Sequence, residues 1–239
     1  LHDALPILRA AYVATAVAEF FRDQGKDVML MFDSVTRFAR AQREIGLSRG
    51  EGPATRGFPP SVDAILPQLL ERCGTSERGT ITGFFTILVE GDDLDEPVSD
   101  TVRGILDGHL VLSRQLARRN HYPAIDVLGS ISRLESKVCD PAHRSAAGTV
   151  RRLMATYQDA EDLISAGIYQ RGNNPEIDEA IDARRGINAL LQQQVEERSS
   201  FADTRERLLS IAGIDDPEDS EPETATETLT DQSPGAEDA

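Results

Sequence analysis

Apolar positions follow two different spacings in the first part of the chain. Small and apolar side chains recur at helical intervals over residues 8–22, and Gly25 ends this segment. Residues 28–33 (VMLMFD) are almost continuously apolar, which is typical of a strand covered by helices on both faces. The pattern predicts a packed helix, then a buried strand that delivers a carboxylate, Asp33, to its end, then a second helix that stops at Gly46.

Strand-like and helix-like segments continue to alternate in the next part of the chain. Residues 50–60 are too rich in glycine and proline for regular structure, so they are predicted to form a loop. A helix capped by Ser61 follows, and residues 80–89 form the next strand. Two short apolar runs, at residues 109–112 and 124–128, flank a helix-like segment. Alternation of this kind favours an α/β fold built on a parallel sheet.

The second part of the chain has a different character. After Pro141, three segments show helical periodicity and none resembles a strand. These segments are residues 149–166, 175–198 and 201–211. We therefore expect an α/β domain over residues 8–140 and a small all-helical domain over residues 141–213. Residues 1–7 are expected to be a leader or scar that belongs to neither domain.

Charge separates the body of the chain from its end. The 239 residues carry a formal net charge of −16, from 41 acidic and 25 basic residues. Ten of the acidic residues and none of the basic ones fall in residues 215–239, so the rest of the chain is only mildly acidic. A segment this polar buries too little apolar surface to offset its ordering entropy. Residues 214–239 are therefore predicted to be a disordered acidic tail, with docking on a basic partner as the alternative.

The remaining composition argues against several classes of protein. The longest apolar runs fall short of the roughly 20 residues that a membrane-spanning helix needs. The histidines and cysteines have no metal-site spacing, and no Ser/His/Asp or Cys/His grouping indicates acyl-transfer chemistry. With Cys73 and Cys139 far apart and no signal-peptide pattern, a reducing cytoplasm is the expected location. An acidic body without a basic, aromatic groove disfavours nucleic acid as a ligand.

Asp33 is the first candidate for chemistry. Ligands of parallel sheets bind beyond the carboxyl ends of the strands, where this carboxylate is predicted to lie. There it can hold a magnesium ion through water, close to a phosphate. Thr36 and Arg37 follow within one turn and add a hydroxyl and a cation on the same side. The alternative is that Asp33 only caps the following helix.

Two further candidates flank the predicted strand at residues 124–128. Arg133 follows that strand, where a guanidinium can stabilise the charge of a transferring phosphoryl group, including one bound by a neighbouring subunit. The alternative for Arg133 is an ordinary surface ion pair with Glu135 or Asp140. Tyr122 precedes the strand and is followed by a proline, so its ring can stack on a nucleobase or simply pack against the protein.

Half of a nucleotide site is missing from the sequence. No segment matches the phosphate loop G-x-x-x-x-G-K-[ST], and the chain has only two lysines, Lys26 and Lys137. The backbone amides of such a loop cradle the phosphates of the nucleotide. A nucleotide at the predicted sheet edge would therefore lack this cradle in the present sequence.

Three separated blocks of the chain have a recognisable sequence. They are RAAYVATAVAEFFRDQGKDVMLMFDSVTRFARAQREIG, GPATRGFPPSVDAILPQLLERCG and HYPAIDVLGSISRLESKV. In this order they resemble the catalytic subunit of the flagellar and type III protein-export ATPases, which are relatives of the rotary ATP synthase catalytic subunit. The resemblance extends from about Leu8 to Gly213 and implies the carboxy-terminal part of such an ATPase. The implied fold is a partial RecA-type P-loop NTPase sheet that lacks its phosphate-loop strand, followed by the small all-helical domain.

The resemblance also implies roles for the candidate residues. Asp33 corresponds to the acid that ends the Walker B strand and holds Mg²⁺, and Arg37 is a further catalytic candidate beside it. Arg133 corresponds to an arginine finger that acts in trans on the nucleotide of the next subunit. Tyr122 resembles the aromatic residue beside adenine. The implied ligands are ATP and Mg²⁺. Because the phosphate loop of the family is not in this sequence, we expect that this polypeptide alone neither binds ATP tightly nor hydrolyses it.

The implied function is ATP hydrolysis that energises flagellar (type III) protein export. The implied assembly is a homo-hexamer at the cytoplasmic face of the export apparatus, peripheral to the membrane, with stalk and regulator proteins, export substrates and chaperones as partners. Three alternatives stay open. They are an injectisome ATPase, a subunit of a proton-translocating rotary ATP synthase, and a non-catalytic ring-scaffolding relative.

Overall fold

The computed structural model describes residues 3–91 and 93–215. The chain divides into two compact units, Leu1–His109 and Leu110–Ala239. The first unit contains α1 (Ala4–Arg22), β1 (Asp27–Phe32), α2 (Val35–Ser48), a 3₁₀ turn (Thr55–Gly57), α3 (Pro60–Leu70), β2 (Gly74–Thr75), β3 (Thr80–Phe85) and α4 (Pro97–Ile105). Strand β4 (Gly108–Leu112) crosses the division. The second unit continues with α5 (Arg114–Arg118), β5 (Ile125–Ser132), α6 (Glu135–Val138), α7 (Pro141–Ser165), α8 (Pro175–Leu191) and α9 (Phe201–Ala212).

The predicted α/β fold with a helical second part is confirmed, and the strands of the described residues are paired in two sheets. Strands β1, β3 and β2 form one sheet, and β4 and β5 form another. The predicted domain boundary at residues 140/141 differs from the division of the compact units at 109/110. The difference arises because β4 pairs with β5, and β5 packs against α7 in the second unit. The predicted acidic tail lies, from residue 216 onward, outside the described residues.

The parallel pair of β1 and β3 is the centre of the first unit. Its register runs from Asp27 opposite Thr80 to Phe32 opposite Phe85, so both strands end at the same edge. The strand predicted at residues 80–89 ends at Phe85, because β1 ends at Phe32 and the chain then turns into α2, so that no strand of the described residues lies beside the residues after Thr86. The short strand β2 pairs antiparallel with the start of β3.

Only one face of this parallel pair is buried in the described structure. On that face, Leu30 and Ile81 pack against Ala18 of α1. The opposite face exposes Met29, Met31 and Phe84, whose side chains are 67%, 78% and 51% accessible. The expectation that helices cover both faces of β1 is therefore wrong for the described residues. The continuous apolar run reflects two faces with different environments.

Helix α1 begins inside the segment that was expected to be a leader. Ala4 and Leu8 lie one turn apart on the same helical face, and both are buried in the core of the first unit. Residues 4–7 are thus part of a packed helix. By length and composition, α1 is also long and apolar enough to cross a membrane. The continuous apolar runs considered in the sequence analysis were shorter than this helix. Its buried positions recur at helical spacing, which is typical of a core helix.

Three helices complete the core of the first unit. Val35 and Phe38 of α2, Leu66 of α3 and Val102 of α4 are fully buried in one cluster. The ring of Phe38 makes edge-to-face contacts with Tyr12 of α1 and with Phe32, at centroid distances of 6.0 and 6.4 Å. Phe38 therefore connects α1, β1 and α2 in a single packing site.

The second unit has its own core between α7, α8 and α9. Val150, Leu153, Ala180 and Ile187 are buried there, with Leu208 and Ile211 of α9 packed against them. Helix α7 begins eight residues earlier than predicted, because Asp140 caps it by accepting the backbone N–H of His143 at 2.8 Å. Helix α8 stops at Leu191 instead of residue 198, because the N–H of Gln193 donates to the carbonyl of Tyr122 at 2.9 Å.

Truncation of the central ring of the first core should be strongly destabilising. We expect Phe38→Ala to lower the free energy of unfolding of the first unit by about 3–5 kcal/mol, because a buried aromatic side chain is lost and a cavity remains. Urea unfolding followed by circular dichroism measures the change. The matched control is Phe20→Ala, which removes a ring that is 62% exposed. Equal losses for the two variants would contradict this account of the core.

A salt bridge between α1 and the end of α3 should make stability depend on pH. Arg72 Nε donates to Glu19 Oε1 at 2.8 Å, and a second bond joins the same pair. Hydrogen bonding to Arg72 holds the pKa of Glu19 below its ordinary value of 4.5. The stabilisation is therefore present above pH 4.5 and is lost as the pH falls through the lowered pKa.

The pH dependence is measured by comparing variants. Glu19→Gln should destabilise the chain at pH 7, and the difference from the unsubstituted protein should shrink as the pH falls below 4.5. Urea midpoints at pH 7 and pH 3 give the two differences. Glu77→Gln, which changes an exposed carboxylate of the same unit, is the control. A Glu19→Gln effect of the same size at both pH values would exclude the ion pair as its cause.

Candidate active site

Asp33 lies at the carboxyl edge of the parallel pair, directly after β1 and before α2. The helix is capped by its neighbour, because Ser34 Oγ accepts the backbone N–H of Arg37 at 3.3 Å. The alternative reading of Asp33 as the capping residue is therefore wrong. Its exposed carboxylate instead accepts a hydrogen bond from Thr86, with Oγ1 2.7 Å from Asp33 Oδ1.

A cleft brings Asp33 and Arg37 together. Both residues line an opening of about 290 Å³, with Ala10, Ala11 and Ala14 of α1 among the other lining residues. The small alanine side chains leave room beside the end of β1. The volume is close to the lower limit of small-molecule sites. A carboxylate and a guanidinium in one cleft can bind a cation and a phosphate oxygen, respectively.

Thr36 does not lie where the sequence analysis expected it. Its side chain is 2% exposed, and its Oγ1 accepts the backbone N–H of Leu88 at 2.8 Å. The hydroxyl therefore anchors the segment after β3 and does not enter the cleft with Arg37. Arg37 itself is exposed, and its guanidinium has no salt bridge within the described ranges.

Thr86 is a neighbour of Asp33 that was not among the residues predicted from the sequence. The signal was present, because parallel strands end at the same edge and Thr86 follows β3 just as Asp33 follows β1. Only the register shows that the two residues are neighbours. The predicted strand at residues 80–89 placed Thr86 in the middle of an element instead of at its end.

The donor set at this edge suits magnesium better than softer metals. The described residues contain no group of three or more His, Cys, Asp or Glu side chains that could hold a metal ion. One carboxylate beside a hydroxyl is instead the kind of oxygen environment in which Mg²⁺ keeps most of its waters and binds substrate phosphates. The residues present therefore fit a magnesium ion held through water.

Tyr122 and Arg133 both lie in the second unit, on either side of β5. The side chain of Tyr122 is 53% exposed, and its carbonyl is held by the N–H of Gln193. The adjacent His121 contacts Gln192, with Nδ1 and Nε2 3.2 Å apart. Burial, with a smaller contribution from Arg184, lowers the pKa of His121. The loop before β5 is thus fixed by the segment after α8, while the Tyr122 side chain is exposed.

Arg133 follows β5 directly, because the strand continues to Ser132 and is longer than predicted. The two acids considered as its ion-pair partners each bond to another arginine, and Arg133 itself also makes an interaction. Glu135 accepts two bonds from Arg151, at 2.7 and 3.1 Å, and these bonds hold its pKa below the ordinary value. Asp140 caps α7 and accepts a bond from Arg205 at 3.2 Å. Arg133 is exposed at the strand end.

Comparison with known proteins gives this geometry a family context. Residues 3–132 match the model of the ATP synthase alpha/beta family, nucleotide-binding domain. Residues 139–210 match the T3SS EscN ATPase C-terminal domain. The chain is 56% identical over 207 residues to a flagellum-specific ATP synthase of Treponema pallidum (strain Nichols), and the match covers 87% of the chain and 46% of that relative.

Two solved structures are similar as well. The assembled ATPase EscN from the type III secretion system of enteropathogenic E. coli is 48% identical with a TM-score of 0.86, over 87% of this chain and 51% of that one. A structure of EscN in complex with its central stalk EscO is 47% identical with a TM-score of 0.80, over 87% and 50%.

These matches confirm the resemblance to the export ATPases. The chain spans about half the length of the relatives that it matches. Since residues 3–132 make up more than half of the chain, it belongs to the ATP synthase alpha/beta family through its nucleotide-binding domain.

Proposed function

We propose that this chain supplies one edge of the nucleotide site, and the helical domain, of an ATPase that hydrolyses ATP with Mg²⁺ to energise flagellar (type III) protein export. The observation that carries the proposal is the position of Asp33. It lies at the end of a parallel strand and shares a cleft with Arg37. Because Ser34 caps α2, the Asp33 carboxylate is not used as the helix cap. The name of the Treponema pallidum relative supports the flagellar assignment.

Asp33 would hold the magnesium ion through water with its exposed carboxylate. When bound, the ion neutralises charge on the phosphates of ATP. Arg37, in the same cleft, would donate to a phosphate oxygen of the nucleotide in its own subunit. Because the guanidinium group is planar and always charged, it suits a phosphate better than a neutral donor does.

Arg133 and Tyr122 would complete two different sites. Arg133 would extend from the end of β5 to the nucleotide of the adjacent subunit and stabilise charge on the phosphoryl group during transfer. Tyr122 would stack on adenine in its own subunit, since its loop is fixed while its ring is exposed. We also propose that the nucleotide-binding domain and the helical domain meet between residues 140 and 141. The two family matches, at residues 3–132 and 139–210, support this boundary.

A role in trans requires a ring, and we propose a homo-hexamer at the cytoplasmic face of the export apparatus. The assembled EscN structure supports a ring, and its complex with EscO supports a central stalk as partner. Regulators, export substrates and chaperones are further proposed partners. The sequence contains no phosphate loop, so hydrolysis is proposed for the product of the complete reading frame and not for this polypeptide alone.

An injectisome ATPase is the second candidate, because the EscN structures belong to such a system. The chemistry proposed for Asp33 and Arg133 is the same in both cases. A scaffold without catalysis needs neither an oriented carboxylate nor an arginine that acts in trans. Loss of ATP turnover on substitution of either residue therefore separates an ATPase from a scaffold.

Two variants, each inactive alone, test whether Arg133 acts on the neighbouring subunit. In the product of the complete reading frame, Asp33→Asn and Arg133→Ala should each lower ATP turnover by about 10³-fold or more. Mixing the two before ring assembly should restore part of the turnover. In a mixed ring, some sites combine an intact Asp33 of one subunit with an intact Arg133 of the next. Phosphate release measures turnover.

The controls for the mixing experiment are two further proteins. Arg118→Ala removes an exposed arginine of α5 and should leave turnover unchanged. A subunit that carries both substitutions should not restore turnover when it is mixed with either single variant. Mixed rings that form but stay inactive would rule out the role in trans. Full turnover of Asp33→Asn alone would rule out the catalytic site itself.

Tyr122 is tested by nucleotide affinity. Tyr122→Ala should weaken ATP binding by roughly 5- to 100-fold, because stacking of a base on an aromatic ring contributes about 1–3 kcal/mol. Tyr122→Phe keeps the ring and should bind ATP as the unsubstituted protein does. Equilibrium binding of a fluorescent ATP analogue gives both affinities. Unchanged binding by Tyr122→Ala would show that the ring only packs against the protein.

A further inference from the structure

We infer that Thr86 is a positioning residue that fixes the orientation of the Asp33 carboxylate toward the magnesium ion. The inference rests on the proposed function and assigns a role in that site to a residue outside the candidates derived from sequence. The hydroxyl of Thr86 donates to Asp33 Oδ1 at 2.7 Å, across the gap between the ends of β3 and β1.

The backbone of Thr86 is held at two points. Its N–H donates to the carbonyl of Phe32 at 3.0 Å, and its own carbonyl accepts the N–H of Val35 at 3.0 Å. These bonds join the end of β3 to the residues before and after the Asp33–Ser34 pair. The hydroxyl therefore starts from a fixed Cα position beside the carboxylate.

A second anchor lies two residues further along. The buried Thr36 Oγ1 accepts the N–H of Leu88 at 2.8 Å and contacts the Leu88 carbonyl at 3.4 Å. Thr36 is in the first turn of α2, so the helix holds the segment that carries Thr86. Two threonines thus have separate tasks. Thr36 attaches the segment to α2, and Thr86 reaches the carboxylate.

The hydroxyl has one proton and two neighbouring oxygens. Its contact with the Phe32 carbonyl is 3.4 Å, and its contact with Asp33 Oδ1 is 2.7 Å, so the carboxylate is the acceptor. Rotation of an aspartate carboxylate about its last bond is otherwise broad. The bond to Oδ1 selects one orientation, in which Oδ2 would hold a magnesium ion through water. Since Mg²⁺ requires nearly ideal octahedral geometry, this selection affects how well the ion is held.

Thr86 is exposed, so its substitution tests orientation with little effect on packing. In the product of the complete reading frame, Thr86→Val removes the hydroxyl and keeps the shape of the side chain. We expect a 10- to 100-fold higher Mg²⁺ concentration for half-maximal binding of a fluorescent ADP analogue, because a hydrogen bond to a charged group is lost. Analogue binding without Mg²⁺ should change by less than about twofold. The maximal rate of ATP hydrolysis should fall by a similar 10- to 100-fold.

Two comparisons separate orientation from folding. Thr86→Ser keeps the hydroxyl and should restore the Mg²⁺ dependence to within about threefold of the unsubstituted protein. Thr82→Val makes the same change at an exposed position of β3 and should have no effect on either quantity. Thermal unfolding of all three variants should be the same.

The outcomes distinguish the inference from the proposed function. Thr86→Val with unchanged Mg²⁺ dependence, in a protein that hydrolyses ATP and is inactivated by Asp33→Asn, would overturn the positioning role alone. An equal loss in Thr86→Val and Thr86→Ser would overturn it as well, because the hydroxyl would not be the cause. A complete reading frame whose product neither binds nor hydrolyses ATP would overturn the proposed function.

Discussion

The parallel pairing of β1 and β3 determines where the other groups of the first unit lie. The backbone ladder does not stop at the last strand residues, because Thr86 bonds both to Phe32 and to Val35. The hydrogen bonds of the sheet are thereby continued into the first turn of α2. Any change that separated the two strands would also move the carboxylate, the helix start and the cleft that they share.

The segment at residues 33–36 shows how adjacent polar side chains avoid competing for the same partner. Ser34 caps α2, and Thr36 is buried against the segment after β3. Asp33 therefore neither caps α2 nor anchors the segment after β3, although aspartate is a good capping residue. Its charge can then be used for a ligand. Because Ser34 stabilises the start of α2, the carboxylate of Asp33 is available to bind a ligand.

Local sequence patterns were sufficient to predict the order of helices and strands and the all-helical character of the chain after Pro141. They were insufficient wherever a distant contact decided the outcome. Helix α8 ends at Leu191 although the next seven residues favour a helix, since Gln193 bonds to the Tyr122 carbonyl. Thr36 has the spacing of a site residue but is buried, and Thr86 is a site neighbour that only the strand register identifies. Spacing along one element does not contain these cross-strand relations.

The exposed face of β1 has a chemical consequence. Met29 and Met31 present their thioether groups to solvent on the strand that leads to Asp33. Thioethers are converted to sulfoxides by mild peroxide, and the reaction depends on access. These two side chains are therefore natural reporters of anything that covers the sheet. Slower sulfoxide formation would mark a covered state, while complete conversion would add polarity to an apolar surface and weaken its association with another surface.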